Sequence, residues 1–264
     1  MHSGKPREPT TQICVAKADS IEVRGRDLCH DLMGRLSFTE YFYLLLTGRE
    51  PTESQRYFLD LLLIAIAEHG MVPTVQAARM TLSADPDSLQ GALAAGLLGC
   101  GPVLLGTSEL CGKLLTEAQA RVAAGEDADA VAFGLVQDIR NSGRKVPGFG
   151  HPIHRPTDPR AERILTLADV RKVSGSNVAM ARRIGAAVSM VWGKPLVMNV
   201  SMPIAAVLLD LEFPAAMIKA IPLLARTGGI LAHLFEELQN PVGFAMTAHA
   251  EAAVTYRRGD QSGD

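Results

Sequence analysis

Two histidines three residues apart, set among glycines and arginines, mark where chemistry would first be sought in this chain. The segment Asn141 to Asp158 reads NSGRKVPGFGHPIHRPTD, with three prolines, three glycines, three basic residues and two histidines in 18 positions. His151 and His154 supply imidazoles that exchange protons near neutral pH. Arg160 follows just downstream, and guanidinium groups hold carboxylates in bidentate fashion. Gly148 and Gly150 flank Phe149, which lets backbone amides come close to a ligand. Arg144 and Lys145 precede the glycines and offer cations to phosphate groups. The pattern suits a polycarboxylate, although composition alone equally allows a solvated loop with one structural histidine. No sustained metal-ligand spacing accompanies the histidine pair, so no metal is expected.

Long structureless loops in compact domains are usually functional, and the flanking elements explain how this one would be held. Ser37 followed by Glu40 is in capping-box register before a helical run through Phe38, Tyr41, Leu44 and Leu45, which Gly48 stops. Pro51-Thr52 opens a second helix running through Leu59, Leu62 and Ile66. Further helices are expected over 72–82, 88–98, 108–124, 128–141, 159–173, 177–192, 200–211, 214–237 and 245–256. TQICVAKADSIEVRG, Thr11 to Gly25, has β-branched residues around a polar turn, as in a short hairpin. No alternating strand pattern of useful length follows residue 25. His233, inside the last long helix, is expected to pack in the interior or at a subunit contact.

Composition narrows the class. With 264 residues and 47% hydrophobic content, the chain can bury enough apolar surface to offset its ordering entropy, which excludes disorder. Twenty-six Lys plus Arg against 28 Asp plus Glu leave a charge of −2, and aromatics make up 5%. Neither a nucleic-acid surface nor attraction to anionic membranes is expected. The uncharged run Gly91 to Ser108 is broken by five Gly or Pro residues, so a buried helix pair is expected rather than a membrane span. Cys14, Cys29, Cys100 and Cys111 form no CxxC pair, and Met1 to Glu8 carries no signal-peptide apolar region. A reduced, cytoplasmic location is the expectation.

PGFGHPIHRPTDPRA (Pro147 to Ala161) resembles the GFGH…DPR segment of the citrate synthase superfamily. IEVRGRDLCHDLMGRLSFTEYFYLLLTGREPT (Ile21 to Thr52) resembles its N-terminal "RG…L…SF.E…LL..G..P" region. LLARTGGILAHLFEE (Leu223 to Glu237) resembles its late "AR..G..AH..E" helix, and AEHGMVP (Ala67 to Pro73) is similar to the "DHG" region of citryl-CoA lyases. The resemblance implies an all-α, citrate-synthase-like fold with a small N-terminal β element. It also implies a large helical core, a small lid subdomain over about 160–215, and a homodimer or higher homo-oligomer. His151 and His69 would face the substrate oxygen, Arg160 and Arg226 its carboxylates, with Gly150 and Asn199 beside them. Coenzyme A, as a thioester substrate, would meet Arg144, Lys145, Gly148, Phe149 and His154.

Two positions depart from the synthase pattern. The "GPLHG" histidine that helps enolise the thioester is a leucine in Gly101-Pro102-Val103-Leu104-Leu105-Gly106, as the histidine is also absent from citryl-CoA lyases. The catalytic aspartate of "N-V-D" is Ser201 in Asn199-Val200-Ser201. A serine hydroxyl is a poor base for a thioester methyl proton unless another group activates it. Cleavage asks less, since a histidine can take the hydroxyl proton and water can reprotonate the enolate. The resemblance therefore implies a carbon–carbon lyase acting on a 3-hydroxy-3-carboxyl acyl-CoA such as citryl-CoA, giving acetyl-CoA and a 2-oxo acid such as oxaloacetate. A citrate synthase, or a catalytically reduced protein that binds CoA thioesters and polycarboxylates, remains the alternative.

Overall fold

Ser37 caps its helix as its spacing implies. Its hydroxyl accepts from the Glu40 amide while Glu40 accepts from the Ser37 amide, starting α1 (Phe38–Thr47), and Gly48 at φ 77° ends it. The computed structural model describes residues 9–257, so Met1 to Glu8 and Arg258 onward lie outside the described residues. Contacts divide the chain between Leu61 and Leu62, inside α2 (Glu53–Ala67).

The first unit holds the expected hairpin, β1 (Cys14–Ala16) and β2 (Ile21–Val23), with Cys14 opposite Val23. A third antiparallel strand, β3 (Arg26–Asp27), lies just past the predicted boundary and is too short to show any alternation. A single π-helical turn, Leu28–Leu32, follows it, capped by Asp27. Val23, Leu32 and Leu44 form the small core of this unit.

The second unit is helical: α3 (Pro73–Ala84), α4 (Leu89–Leu98), α5 (Thr107–Ala123), α6 (Ala128–Asn141), α7 (Pro159–Val170), α8 (Ser176–Trp192), α9 (Ser201–Asp210), α10 (Ala220–Gln239) and α11 (Gly243–Ala253). Helix α9 is apolar almost all round, and every residue from Ser201 to Leu208 is buried, as expected of a central helix. It packs against α5, α7 and α8. Helices α3, α4 and α10 share a second core of Val75, Ala78, Leu82, Ala92, Ile230 and Leu234.

The run 91–108 is the expected helix pair, most of α4 followed by a turn and the start of α5. One expectation changes in detail. The single helix expected over 214–237 is instead a 3-10 turn at Ala215–Met217 followed by α10. Pro222 accounts for the break, because it has no N–H for the Ile218 carbonyl and its ring crowds that oxygen. A helix can therefore begin no more than a turn before it.

One buried ion pair ties three helices together. Arg79 of α3 donates through Nε to Glu237 of α10 at 2.6 Å, both side chains being almost wholly buried. Glu237 also accepts from the Ser83 hydroxyl and from the Val242 and Gly243 amides, which satisfies donors at the start of α11.

Candidate active site

The loop that carries His151 is stapled at both ends. Phe149 pairs with Met198 in an antiparallel bridge, the Gly150 amide donates to the Val197 carbonyl at 2.7 Å, and the Asn199 amide donates to the Gly148 carbonyl at 2.9 Å. Asn199 Nδ2 adds a bond to the Gly150 carbonyl at 3.0 Å. Gly148 has φ 79°, and a Cβ there would lie 2.8 Å from both Cys111 Sγ and Met202 Cβ, so only glycine fits. The glycines thus hold the loop against α5 and α9, and the Phe149 ring sits beside Gly185 of α8.

Asp158 fixes the other end. Its carboxylate is fully buried and caps α7 by accepting from the Arg160 amide. It also accepts from Arg160 Nη2 at 2.9 Å and from the Val200 amide at 3.1 Å. Burial works to raise its pKa, but these hydrogen bonds outweigh burial and hold the carboxyl below its ordinary value. Asp158 therefore locks the start of α7 to the start of α9 and aims Arg160. The sequence marks Asp158 only by its position before a proline at the first helical residue.

These constraints bring one set of side chains to a cavity of about 380 Å³. Its lining includes His69, His151, Arg160, Asn199, Ser201 and Arg226, and among the described residues that line it there is no carboxylate. Val103, Leu104, Leu105 and Ile153 supply an apolar wall. His154 stacks on His151 with ring centroids 4.2 Å apart, and His69 stands edge-on to His151 at 5.6 Å. Arg144 and Lys145 are exposed, Arg144 bonding to Ser142; neither they nor Gly148 and Phe149 reach the cavity wall.

The protonation states follow from the partners. His151 Nδ1 accepts from the Ile153 and His154 amides at 3.1 and 2.9 Å, which places the proton of the neutral ring on Nε2. That Nε2 lies 3.4 Å from Arg160 Nη2. Two donors side by side can share one acceptor oxygen within reach of both. Burial, with help from His154, Arg160 and His69, pushes the His151 pKa down against the pull of Asp158. Burial likewise lowers the His69 pKa, reinforced by Arg160, His154 and Arg226. Both rings are therefore neutral at pH 7.

Arg226 is the unusual member. It is only 3% exposed, its Nη2 donates to the Ile66 carbonyl at 3.3 Å, and its Nε and Nη1 have no hydrogen-bond partner among the described residues. A buried guanidinium with vacant donors is costly unless an anion satisfies it.

The three imidazoles lie close enough to raise the question of a metal, with ligand atoms within 4.8 Å of one another. His151 is poorly disposed to ligate one in this tautomer. His151 Nδ1 is occupied by backbone amides, its Nε2 carries the proton, and Arg160 and Arg226 surround the cluster with positive charge. The same features suit an anion.

Comparison with known proteins gives a consistent picture. The family model described as "Citrate synthase, C-terminal domain" matches residues 10–243. The citryl-CoA lyase of Hydrogenobacter thermophilus is 28% identical and superposes with a TM-score of 0.84, covering 98% of each chain. The ATP citrate lyase of Methanothrix soehngenii, solved in complex with citrate and coenzyme A, gives a TM-score of 0.79 at 20% identity over 98% of this chain and 43% of that one, a likeness of fold. The glyoxysomal citrate synthase of Cucurbita maxima is 30% identical over 220 residues, covering 78% of this chain and 40% of that protein. The chain spans about half or less of the curated relatives it matches, 53% for the citrate synthase of Heyndrickxia coagulans.

Proposed function

The chain belongs to the citrate synthase family, and on that footing we propose that it cleaves a 3-hydroxy-3-carboxyl acyl-CoA of the citryl-CoA kind to acetyl-CoA and a 2-oxo acid. The observation that carries the reading is the buried Arg226 guanidinium with two vacant donor atoms. It faces the same cavity as Arg160 and the His151 Nε2–H. Two unpartnered Arg226 donors, set beside Arg160 and the His151 Nε2–H in a described lining that holds no carboxylate, describe a receptor for an anionic, oxygen-rich substrate.

In this reading Arg226 and Arg160 hold carboxylates of the citryl group. His151, fixed as an Nε2 donor, hydrogen-bonds the tertiary oxygen. His69 is neutral, and no hydrogen bond among the described residues occupies its ring nitrogens, so it takes the hydroxyl proton. The C–C bond then breaks, the hydroxyl carbon becomes the keto carbon of the oxo acid, and the electron pair moves into the thioester as an enolate. Water held near Ser201 returns a proton to carbon. Synthesis would need a base for a methyl proton, and the described lining offers no carboxylate for it. A homodimer belongs to the proposal; it would cover apolar side chains such as Leu98, Val103, Phe235 and Phe244, now exposed.

Incubation with citryl-CoA tests the reading. Acetyl-CoA release above a His151→Ala control is expected, and its absence contradicts the reading for this substrate. The missing carboxylate also favours a second reading, a protein that binds CoA thioesters or polycarboxylates without turnover. Ser201→Asp separates the two: it raises activity in a disabled site and lowers it in one tuned to serine.

A further inference from the structure

The late helix motif contains more than its arginine. Arg226, Gly229 and His233 fall at i, i+3 and i+7, on one face of α10. Each meets the next residue in turn at the end of α2. Arg226 Nη2 donates to the Ile66 carbonyl at 3.3 Å. A Cβ at Gly229 would collide with the Ala67 carbonyl oxygen, so glycine alone allows this approach. His233 Nε2 lies 3.0 Å from Glu68 Oε2. Glu68 in turn accepts from the backbone amides of His69 and Gly70, the former at 2.7 Å. Its carboxylate therefore shapes the turn that presents His69 to the cavity.

The chain of donors continues inward. His233 Nδ1 is 3.3 Å from Arg79 Nη1, and Arg79 also donates to Glu236 and Glu237 at 2.6 Å each. An arginine can only donate, so His233 accepts at Nδ1 and carries its proton on Nε2, pointed at Glu68. Arg79 thus fixes the His233 tautomer, His233 fixes the Glu68 carboxylate, and Glu68 fixes the His69 backbone.

We propose that His233 and Glu68 are positioning residues for His69, and that the Gly229–His233 face of α10 is a dock for the turn that carries it. The assignment of His69 as the base rests on the lyase reading; the docking itself does not. His233 does not line the cavity, and its contact toward His69 runs through Glu68. A ring released from this turn would sample several orientations, and misplacement by about 1 Å can cost on the order of 100-fold in rate.

The test uses the full chain with ¹⁵N-labelled histidine. Imidazole resonances are assigned with His69→Asn and His151→Asn and recorded at pH 7.5 for wild type, His233→Ala, His233→Gln and Glu68→Ala. The proposal expects the His69 signals to shift or broaden in His233→Ala and Glu68→Ala while the His151 signals stay in place. His233→Gln, whose side-chain N–H can still donate to Glu68, is expected to restore most of the wild-type His69 spectrum. With citryl-CoA, kcat is expected to fall about tenfold or more in the alanine variants with KM within about twofold, the pattern of a misplaced catalytic group. His69 signals unchanged in a folded His233→Ala protein would overturn the proposal, as would equal disturbance of His69 and His151, which marks general loosening. Should His233→Ala not fold, an unrestored His69 spectrum in His233→Gln would overturn it. If no substrate is cleaved, the lyase reading fails while the His69 spectra still decide the docking.

Discussion

Two arginines in this protein are equally buried, each about 3% exposed, and their surroundings are opposite. Arg79 donates to Glu236, Glu237, His233 and the Asn240 carbonyl. Arg226, one helix away, reaches a single carbonyl and leaves Nε and Nη1 empty. Burial costs both charges their hydration, but the fold repays it only at Arg79. The difference separates a framework from a binding site. A cation that is satisfied before any ligand arrives holds helices together, whereas one left short of acceptors is held ready for an anion. The cavity beside Arg226 has arginines and neutral histidines but no carboxylate among its described lining, so the acceptor has to come from outside.

Perturbing each arginine should give opposite results. Glu237→Ala takes away the buried carboxylate of Arg79, leaving it the exposed Glu236, and uncaps α11; a loss of about 3–5 kcal/mol is expected in urea unfolding, the range for a broken buried pair. A loss below about 1 kcal/mol would show that Arg79 does not depend on its buried partner. Arg226→Met removes an unsatisfied charge and keeps the volume. The free protein is expected to gain about 1 kcal/mol or more in stability, while citrate affinity falls by about 2–4 kcal/mol. Citrate at about 100 times its Kd should stabilise the wild type by about 2.7 kcal/mol, and the variant hardly at all. If Arg226→Met destabilises as much as Glu237→Ala, the two arginines do the same job.

A pH titration sharpens the contrast further. Burial and neighbouring cations, Arg226 among them, lower the His69 pKa. A base must be unprotonated, so kcat is expected to fall on acidification with a midpoint below the ordinary histidine value near 6.5. Arg226→Met removes one of the cations that hold His69 down, so its NMR titration midpoint should move toward the ordinary value. Glu237→Ala, whose carboxylate is not among the groups acting on His69, should leave the midpoint in place. The smallest effect is expected at the surface: Arg144→Ala, at an exposed residue outside the cavity, should change stability by less than about 0.5 kcal/mol.

Local rules carried much of the fold. The capping box at Ser37 and Glu40, the bounds of α6 and the stop at Gly48 all depend on residues within a few positions. So did the loop from Asn141 to Asp158, whose glycines and prolines exclude regular structure. Features that depend on distant partners were hidden. Gly148 looks like a ligand loop in sequence, yet its neighbours are Cys111 and Met202, and no periodicity pairs them. The vacancy at Arg226 is likewise invisible, since the sequence shows an arginine and only the fold shows which acceptors it lacks. Glu68 and His233 lie 165 residues apart, and nothing in the sequence pairs them.

The most direct test is a single-turnover experiment with citryl-CoA on the wild type, His151→Ala and Arg226→Met. The wild type is expected to release acetyl-CoA and oxaloacetate in equal amounts, with both variants slowed by roughly 100-fold or more. No products from the wild type, or equal rates from all three proteins, would contradict the lyase reading and the role given to the vacant guanidinium.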